Sequence, residues 1–296
     1  MLPIGLCAHL ACIWEATARK PGNVHRLRDF SDTNYLDFLQ SAAATAPVLG
    51  TAAERRLGET VLECVRATRT VTSRNTNLGI ILLLTPLAMV SGRGLRVGVA
   101  KVLEGLDVAD AKNVYAAIRM AQPGGLNKVD HQDVSDEPTL GLREIMELAA
   151  DRDSVARQYA TGFRDVFDEG VPTLRRGLQQ SRSGSLEEAI IYTHLHWMAT
   201  IPDSLIARKR GPQEAAEASR LAHEVLVSGW PGREPGWQAM ERLDAWLRAE
   251  GNARNPGTSA DLVAASLFVA LHEGVIGLPL AAPWSMANVP PAPPAA

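Results

Sequence analysis

Ser73-Arg74-Asn75-Thr76-Asn77-Leu78-Gly79-Ile80-Ile81-Leu82-Leu83-Leu84-Thr85-Pro86-Leu87-Ala88-Met89-Val90 runs from a polar, amide-rich entry into the most apolar segment of the chain. From Leu78 to Val90 only Thr85 carries a polar side chain, so the segment offers no face suited to water. A helix that is apolar all round belongs in a large core or in a membrane. As a helix this run is about 20 Å long, short of the ~30 Å hydrocarbon layer of a bilayer. It is therefore predicted to be a central core helix. Its entrance, Asn75-Thr76-Asn77, lies where free backbone N–H groups and the helix dipole favour an anion such as phosphate.

The flanking sequence repeats the helical pattern. Upstream, Ile4 to Ala18, Tyr35 to Ala46 and Gly58 to Thr68 place apolar residues three or four apart. Lys20-Pro21-Gly22 ends the first of these, because proline biases its predecessor out of the helical region and glycine follows. Downstream, Leu95 to Leu103 alternates weakly and reads as a short strand, while Asp107 to Met120, Leu142 to Ala150 and Ser154 to Asp168 read as helices. Pro172 to Gln180, Leu186 to Thr200, Glu214 to Val227, Trp237 to Glu250 and Leu262 to His272 continue the helical pattern. The expectation is an all-α fold: a single globular multi-helix domain over residues 1–285 around a buried central helix, with residues 286–296 a disordered Pro/Ala tail.

Bulk properties narrow the function. The 296 residues carry 30 Lys and Arg against 33 Asp and Glu, a formal charge of -3. That balance lacks the basic excess of a nucleic-acid binder and still leaves room for a local basic pocket. Cys7, Cys12 and Cys64 are odd in number and match neither a zinc pattern nor a disulfide framework, so free buried thiols in a reducing compartment are expected. No Lys or Arg precedes the apolar start, and Glu15, Arg19 and Lys20 follow at helical spacing. This reads as an N-terminal helix rather than a signal peptide, and hence as a cytoplasmic protein.

Polar residues crowd into the connections: Lys20 to Asp32, Arg74 to Asn77, Asp130 to Glu137, Asp203 to Arg210 and Asn255 to Asp261. Loops held by a rigid scaffold carry function, although Asn and Asp also serve simply as turn formers. Arg208-Lys209-Arg210 reads either as a solvated face or as a phosphate clamp. His25 and His131 lack metal-ligand spacing, and His194 and His196 point to different sides of their helix, which marks them as packing or surface residues. The carboxylates Asp29/Asp32 and Asp130/Asp133/Asp136 would suit Mg²⁺, a cation that binds through few carboxylates together with phosphates. In the last turn, Ser259 is read as a helix cap, with Asp261 in the first helical turn beside it.

Several blocks in order resemble the triphosphoribosyl-dephospho-CoA synthase family. They are Lys20-Pro21-Gly22-Asn23-Val24, Asp29-Phe30-Ser31-Asp32 with Phe38 to Ala42, Ala67-Thr68 with Asn75 to Gly79, Pro138-Thr139 with Gly162-Phe163, Asp203 to Arg208, and Asn255 to Leu262. Together they span roughly residues 15–272. The resemblance implies an all-helical transferase that joins the 1″ carbon of the ATP ribose to the 2′-hydroxyl of dephospho-CoA and releases adenine. It also implies that the polar loops meet in one pocket.

Under that resemblance Lys20 and Arg208 are expected on phosphate, and Asn75, Thr76 and Asn77 on phosphate or ribose. Asn23 and Asn255 would orient the sugar or base, with Ser259 completing the substrate set. Asp29, Asp32, Asp203 and Asp261 are the expected acid/base carboxylates, Asp203 and Asp261 also the expected Mg²⁺ ligands. The partners implied are small-molecule nucleotides, ATP among them as substrate, with neither nucleic acid nor membrane; the oligomeric state stays open, a homodimer being one option.

Two departures stand out. The family's usual Asn-Thr-His-Lys-Gly reads Asn75-Thr76-Asn77-Leu78-Gly79 here, and its Gly-Ala-His block is replaced by Arg28 to Asp32. Asn23-Val24-His25-Arg26 together with Asn75-Thr76-Asn77-Leu78-Gly79 resembles a divergent branch in archaea and one-carbon-metabolising bacteria. Three readings follow: a triphosphoribosyl transferase, a related enzyme of methanopterin-type cofactor synthesis with another nucleotide or pterin substrate, and a non-catalytic helical binding protein. The first two require the polar loops to converge; the third does not.

Overall fold

The computed structural model describes residues 2–125, 128–129, 131–180, 185–280 and 284. The expected Pro/Ala tail, residues 286–296, and Asp130 lie outside them. Among the described residues the chain is all-α, with no strand beyond an isolated antiparallel bridge between His25 and Arg28. In chain order the helices are α1 (Ile4–Thr17), α2 (Tyr35–Gly50), α3 (Leu57–Val71), α4 (Leu78–Ala88), α5 (Leu95–Glu104), α6 (Val108–Ala121) and α7 (Leu142–Ala149). They continue with α8 (Ser154–Thr161), α9 (Val171–Gln180), α10 (Leu186–Thr200), α11 (Ser204–Arg210), α12 (Pro212–Val227), α13 (Glu234–Arg248) and α14 (Gly257–His272).

The segment Leu78–Ala88 is the buried helix its composition demands: every residue but Gly79 is withdrawn from water. Its two irregular residues are both answered. Thr85 returns its hydroxyl to the carbonyl of Ile81 at 2.7 Å. Pro86 has no N–H to give the carbonyl of Leu82, and the buried hydroxyl of Tyr159 donates to that carbonyl instead, at 2.7 Å. A second buried helix, α14, lies against α4, and α1 and α10 pack on α14 in turn. This pair of apolar helices forms the centre of the fold.

Four sequence expectations are corrected. Leu95–Leu103 is helical, not a strand; Leu95, Val99 and Leu103 face the core at a spacing of four while Val97 is 63% exposed, so the alternation was a coincidence of a short window. The stretch Ser154 to Asp168 breaks after Thr161, where Gly162 and Phe163 adopt left-handed backbone (φ 67° and 61°) before a π-helical turn at Val166–Gly170. The stretch Asp203 to Arg210 is not a loop but a short helix, Ser204–Arg210, capped by Asp203. Finally, α14 starts at Gly257, which puts Ser259 and Asp261 inside the helix; Ser259 is not its cap.

Candidate active site

All five polar connections meet on one cavity of ≈ 1220 Å³. Its polar side is built from the end of α1 and the loop after it (Glu15, Asn23, Asp32), the α4 entrance (Asn75, Thr76, Asn77), α11 (Arg208, Lys209) and the α14 entrance (Asn255, Asp261). Apolar lining comes from Val114, Tyr115 and Ile118 of α6, Ile145, Met146 and Leu148 of α7, and Val155 of α8.

Local chemistry explains how each group is held. Asn75 accepts from the N–H of Leu78 at 3.2 Å, so it closes the α4 entrance. Thr76 shares a 2.6 Å hydrogen bond with Ser41, and Asn77 accepts from Thr68 at 3.2 Å. Asn23 donates to Asn255, which ties the first loop to the α14 entrance and leaves Asn23 Oδ1 buried with no partner. Gly79 allows α4 to approach α14: a methyl group there would overlap the Asp261 carboxylate.

Asp261 itself is half-buried in the cavity wall and has no hydrogen-bond or ion-pair partner among the described residues. Burial, then the charges of Glu15 and Asp203, push its carboxyl well above the usual range. Arg208 pairs with Asp153 at 2.5 Å, and Asp153 in turn caps α8 through the N–H groups of Val155 and Ala156. Lys209 donates to the carbonyl of Asn252 at 3.1 Å; burial lowers its pKa, and Asp32 partly offsets that. The loop after α6 crosses this basic pair at Gly124 and Gly125, where a Cβ would lie 3.2 Å from Lys209 side-chain atoms in each case.

A model of the ATP:dephospho-CoA triphosphoribosyl transferase family matches residues 1–278. The chain belongs to that family. Its relatives include a protein of Pseudomonas savastanoi pv. phaseolicola assigned as a 2-(5″-triphosphoribosyl)-3′-dephosphocoenzyme-A synthase, 32% identical over 142 residues, which are 46% of this chain and 48% of that one. A protein of Azotobacter vinelandii with the same assignment is 33% identical over 128 residues, 42% of each chain. The matched region thus spans about half the length of these curated relatives. A crystal structure from Archaeoglobus fulgidus, assigned as a triphosphoribosyl-dephospho-CoA synthase, superposes with a TM-score of 0.61 at 26% identity, covering 80% of this chain and 99% of that one.

Within this family member, eight of the twelve residues given substrate, acid/base or metal roles by the resemblance line the cavity: Asn23, Asp32, Asn75, Thr76, Asn77, Arg208, Asn255 and Asp261. Four do not. Lys20 is fully buried with its ammonium 2.8 Å from Glu15 Oε1 and also donating to the Glu15 carbonyl, so it is not free to meet phosphate. Asp29 is exposed and closes a turn by accepting from the N–H of Tyr35 at 2.7 Å. Asp203 is a clip between helices. Its Oδ1 caps α11 through Leu205 and Ile206, and its Oδ2 accepts from both the N–H and the hydroxyl of Ser259 at 2.7 and 2.8 Å. Ser259 is thereby committed to Asp203. Both oxygens of Asp203, one of the expected Mg²⁺ ligands, are thus engaged by protein donors, and among the described residues no three of His, Cys, Asp and Glu are grouped to hold a metal ion.

Sequence reasoning gave no site role to Glu15, Asp153 or Arg74 and passed over the apolar lining from α6 and α7. A signal for Glu15 was present: it is the one acidic residue in a largely apolar helix. The basic run Arg208-Lys209-Arg210 divides. Its first two members enter the cavity, and Arg210 pairs outside it with Glu214 and Glu250.

Proposed function

We propose that this protein transfers the triphosphoribosyl group of ATP to a hydroxyl of dephospho-CoA and releases adenine. The observation that carries this reading is the meeting of all five polar connections on a single cavity. A non-catalytic scaffold has no need of such convergence. The cavity, at ≈ 1220 Å³, exceeds the roughly 300–1,000 Å³ of a site for one small ligand. It has room for donor and acceptor together.

The triphosphate is bound by cations and helix-entrance N–H groups: Arg208, Lys209 and Arg74, with Asn75, Thr76 and Asn77 at the start of α4. Arg74 lies on the cavity wall, exposed, and its guanidinium has no partner among the described residues. It supplies a cation where Leu78 leaves the α4 entrance without one. Asn23 and Asn255 orient sugar and base, and Asp32 stands on the cavity rim, where it accepts from Asn252 at 2.9–3.0 Å. Asp261, whose carboxyl burial pushes upward, is the acid/base group: it gives a proton to the departing adenine and takes one from the attacking hydroxyl. Mg²⁺ fits as a companion of the triphosphate rather than as a resident ion, since no protein cage is built for it among the described residues. Bound that way it would neutralise phosphate charge.

No helix of the described residues is long and apolar enough to cross a membrane; a cytoplasmic location is part of this proposal and accords with ATP as the substrate. The test is direct. Incubated with ATP and Mg²⁺, the protein should release adenine only when dephospho-CoA is added, with a product heavier than the acceptor by one triphosphoribosyl group. Absence of adenine under both conditions contradicts the proposal, and adenine without acceptor indicates a hydrolase.

A further inference from the structure

Glu15 sits in the last turn of α1, where the negative end of the helix dipole opposes a carboxylate. It is only 4% exposed, and what remains open faces the cavity. One oxygen, Oε1, is fixed by the ammonium of Lys20 at 2.8 Å. Lys20 is fully buried and also bonds the Glu15 backbone carbonyl, so the ammonium clamps both ends of the same residue. The second oxygen, Oε2, has no partner among the described residues. A buried ion pair offsets its desolvation only when its remaining polar atoms are also satisfied. Here one is left open, beside a cavity, on a helix that gains nothing locally from the charge. Local rules broken together in this way mark a functional position.

We propose that Glu15 is the carboxylate facing the ATP ribose during transfer, and that Lys20 is the positioning residue that holds it there; this rests on the triphosphoribosyl-transfer reading above. In the step, the bond between ribose C1′ and adenine N9 breaks and its electron pair leaves with adenine. A new bond forms from the acceptor hydroxyl oxygen to C1′. The proton given to adenine by Asp261 is replaced by the proton of that hydroxyl, so the balance closes without a further reactant. Between the two events positive charge collects on the ribose, and the free oxygen of Glu15 stabilises it.

The experiment measures adenine release and Mg·ATP binding side by side. Glu15→Gln keeps the shape and removes the charge. It should lower kcat by about 100-fold or more while the Kd for ATP stays within about threefold, because the lost interaction exists mainly in the transition state. Lys20→Met should lower kcat by about tenfold or more with the same indifference in ATP binding. Should either single variant melt far below the wild type, the pair Glu15→Gln/Lys20→Met removes both buried charges together and carries the same expectation. A folded Glu15→Gln or double variant that turns over within about threefold of wild type overturns the proposal, as does a loss of ATP affinity in proportion to kcat. Wild-type protein that releases no adenine removes the transfer reading and this role with it. Fast wild-type release together with fast Glu15→Gln release removes the role alone.

Discussion

Glu15 and Glu187 are both buried carboxylates, and both are met by cations from the short segment between α1 and α2. Glu187 is closed. Its Oε1 accepts from the backbone N–H and Nε of Arg19 and from Arg26 Nη1, at 3.1, 2.9 and 2.5 Å, and its Oε2 accepts from Arg19 Nη2 and Arg26 Nη2 at 2.9 and 3.0 Å. It is fully buried and borders no part of the cavity. Glu15 is open: it lines the cavity, with one cation on one oxygen and no partner for the other among the described residues. The aspartates repeat the contrast: Asp203 accepts four hydrogen bonds, whereas Asp261 has no partner among the described residues. A satisfied buried group holds the fold together, and an unsatisfied one beside a cavity is set up for a ligand.

The largest stability effect should come from the closed carboxylate. Glu187→Gln leaves two guanidiniums without their counter-charge and should cost about 3 kcal/mol, read from urea unfolding midpoints. Burial pulls the Glu187 pKa upward, but the guanidiniums of Arg26 and Arg19 outweigh it, so the folded value lies below the ordinary one. The stability it contributes is therefore fully present above its unfolded pKa and is lost as pH falls through the folded one. The glutamine variant should lack that part of the acid dependence.

The open group should behave in the opposite way. Asp261→Asn is expected to lower adenine release by about 100-fold and to change stability by less than about 1 kcal/mol, since no protein hydrogen bond is lost. Asp203→Asn keeps an oxygen to cap α11 but turns an amide NH₂ toward the Ser259 N–H, and should shift unfolding by about 1–2 kcal/mol. If Asp203→Asn instead abolishes turnover in a fully stable protein, the division between the two aspartates is wrong. The smallest effect is expected at Tyr159→Phe, which leaves the Leu82 carbonyl unpaired beside Pro86. A loss of about 1 kcal/mol with unchanged turnover should be seen by thermal melting and adenine release.

Much of the fold was legible because helices repeat apolar residues at a spacing that survives in a single sequence. The failures have local causes. Seven residues are too few for α11 to show a period. At the start of α14, Asn255-Pro256-Gly257 reads as a turn, yet Pro256 is the residue from which the helix grows. The site was legible as a set of polar loops between apolar helices, and their convergence on one cavity follows from tertiary packing that no spacing rule records. Which side chains inside the loops face the cavity was not legible. Lys20 and Asp203 are polar, well placed in sequence and fully engaged by other protein groups, whereas Glu15 hides within a helix and owes its position to a lysine five residues further on.

The measurement that reaches the centre of this contrast compares Glu15→Gln with Glu187→Gln, recording adenine release per folded molecule alongside the unfolding midpoint. The prediction is that Glu15→Gln stays folded and loses turnover by about 100-fold, while Glu187→Gln loses stability and keeps its turnover. The reverse pattern, with Glu15→Gln active and Glu187→Gln stable but inactive, would contradict it.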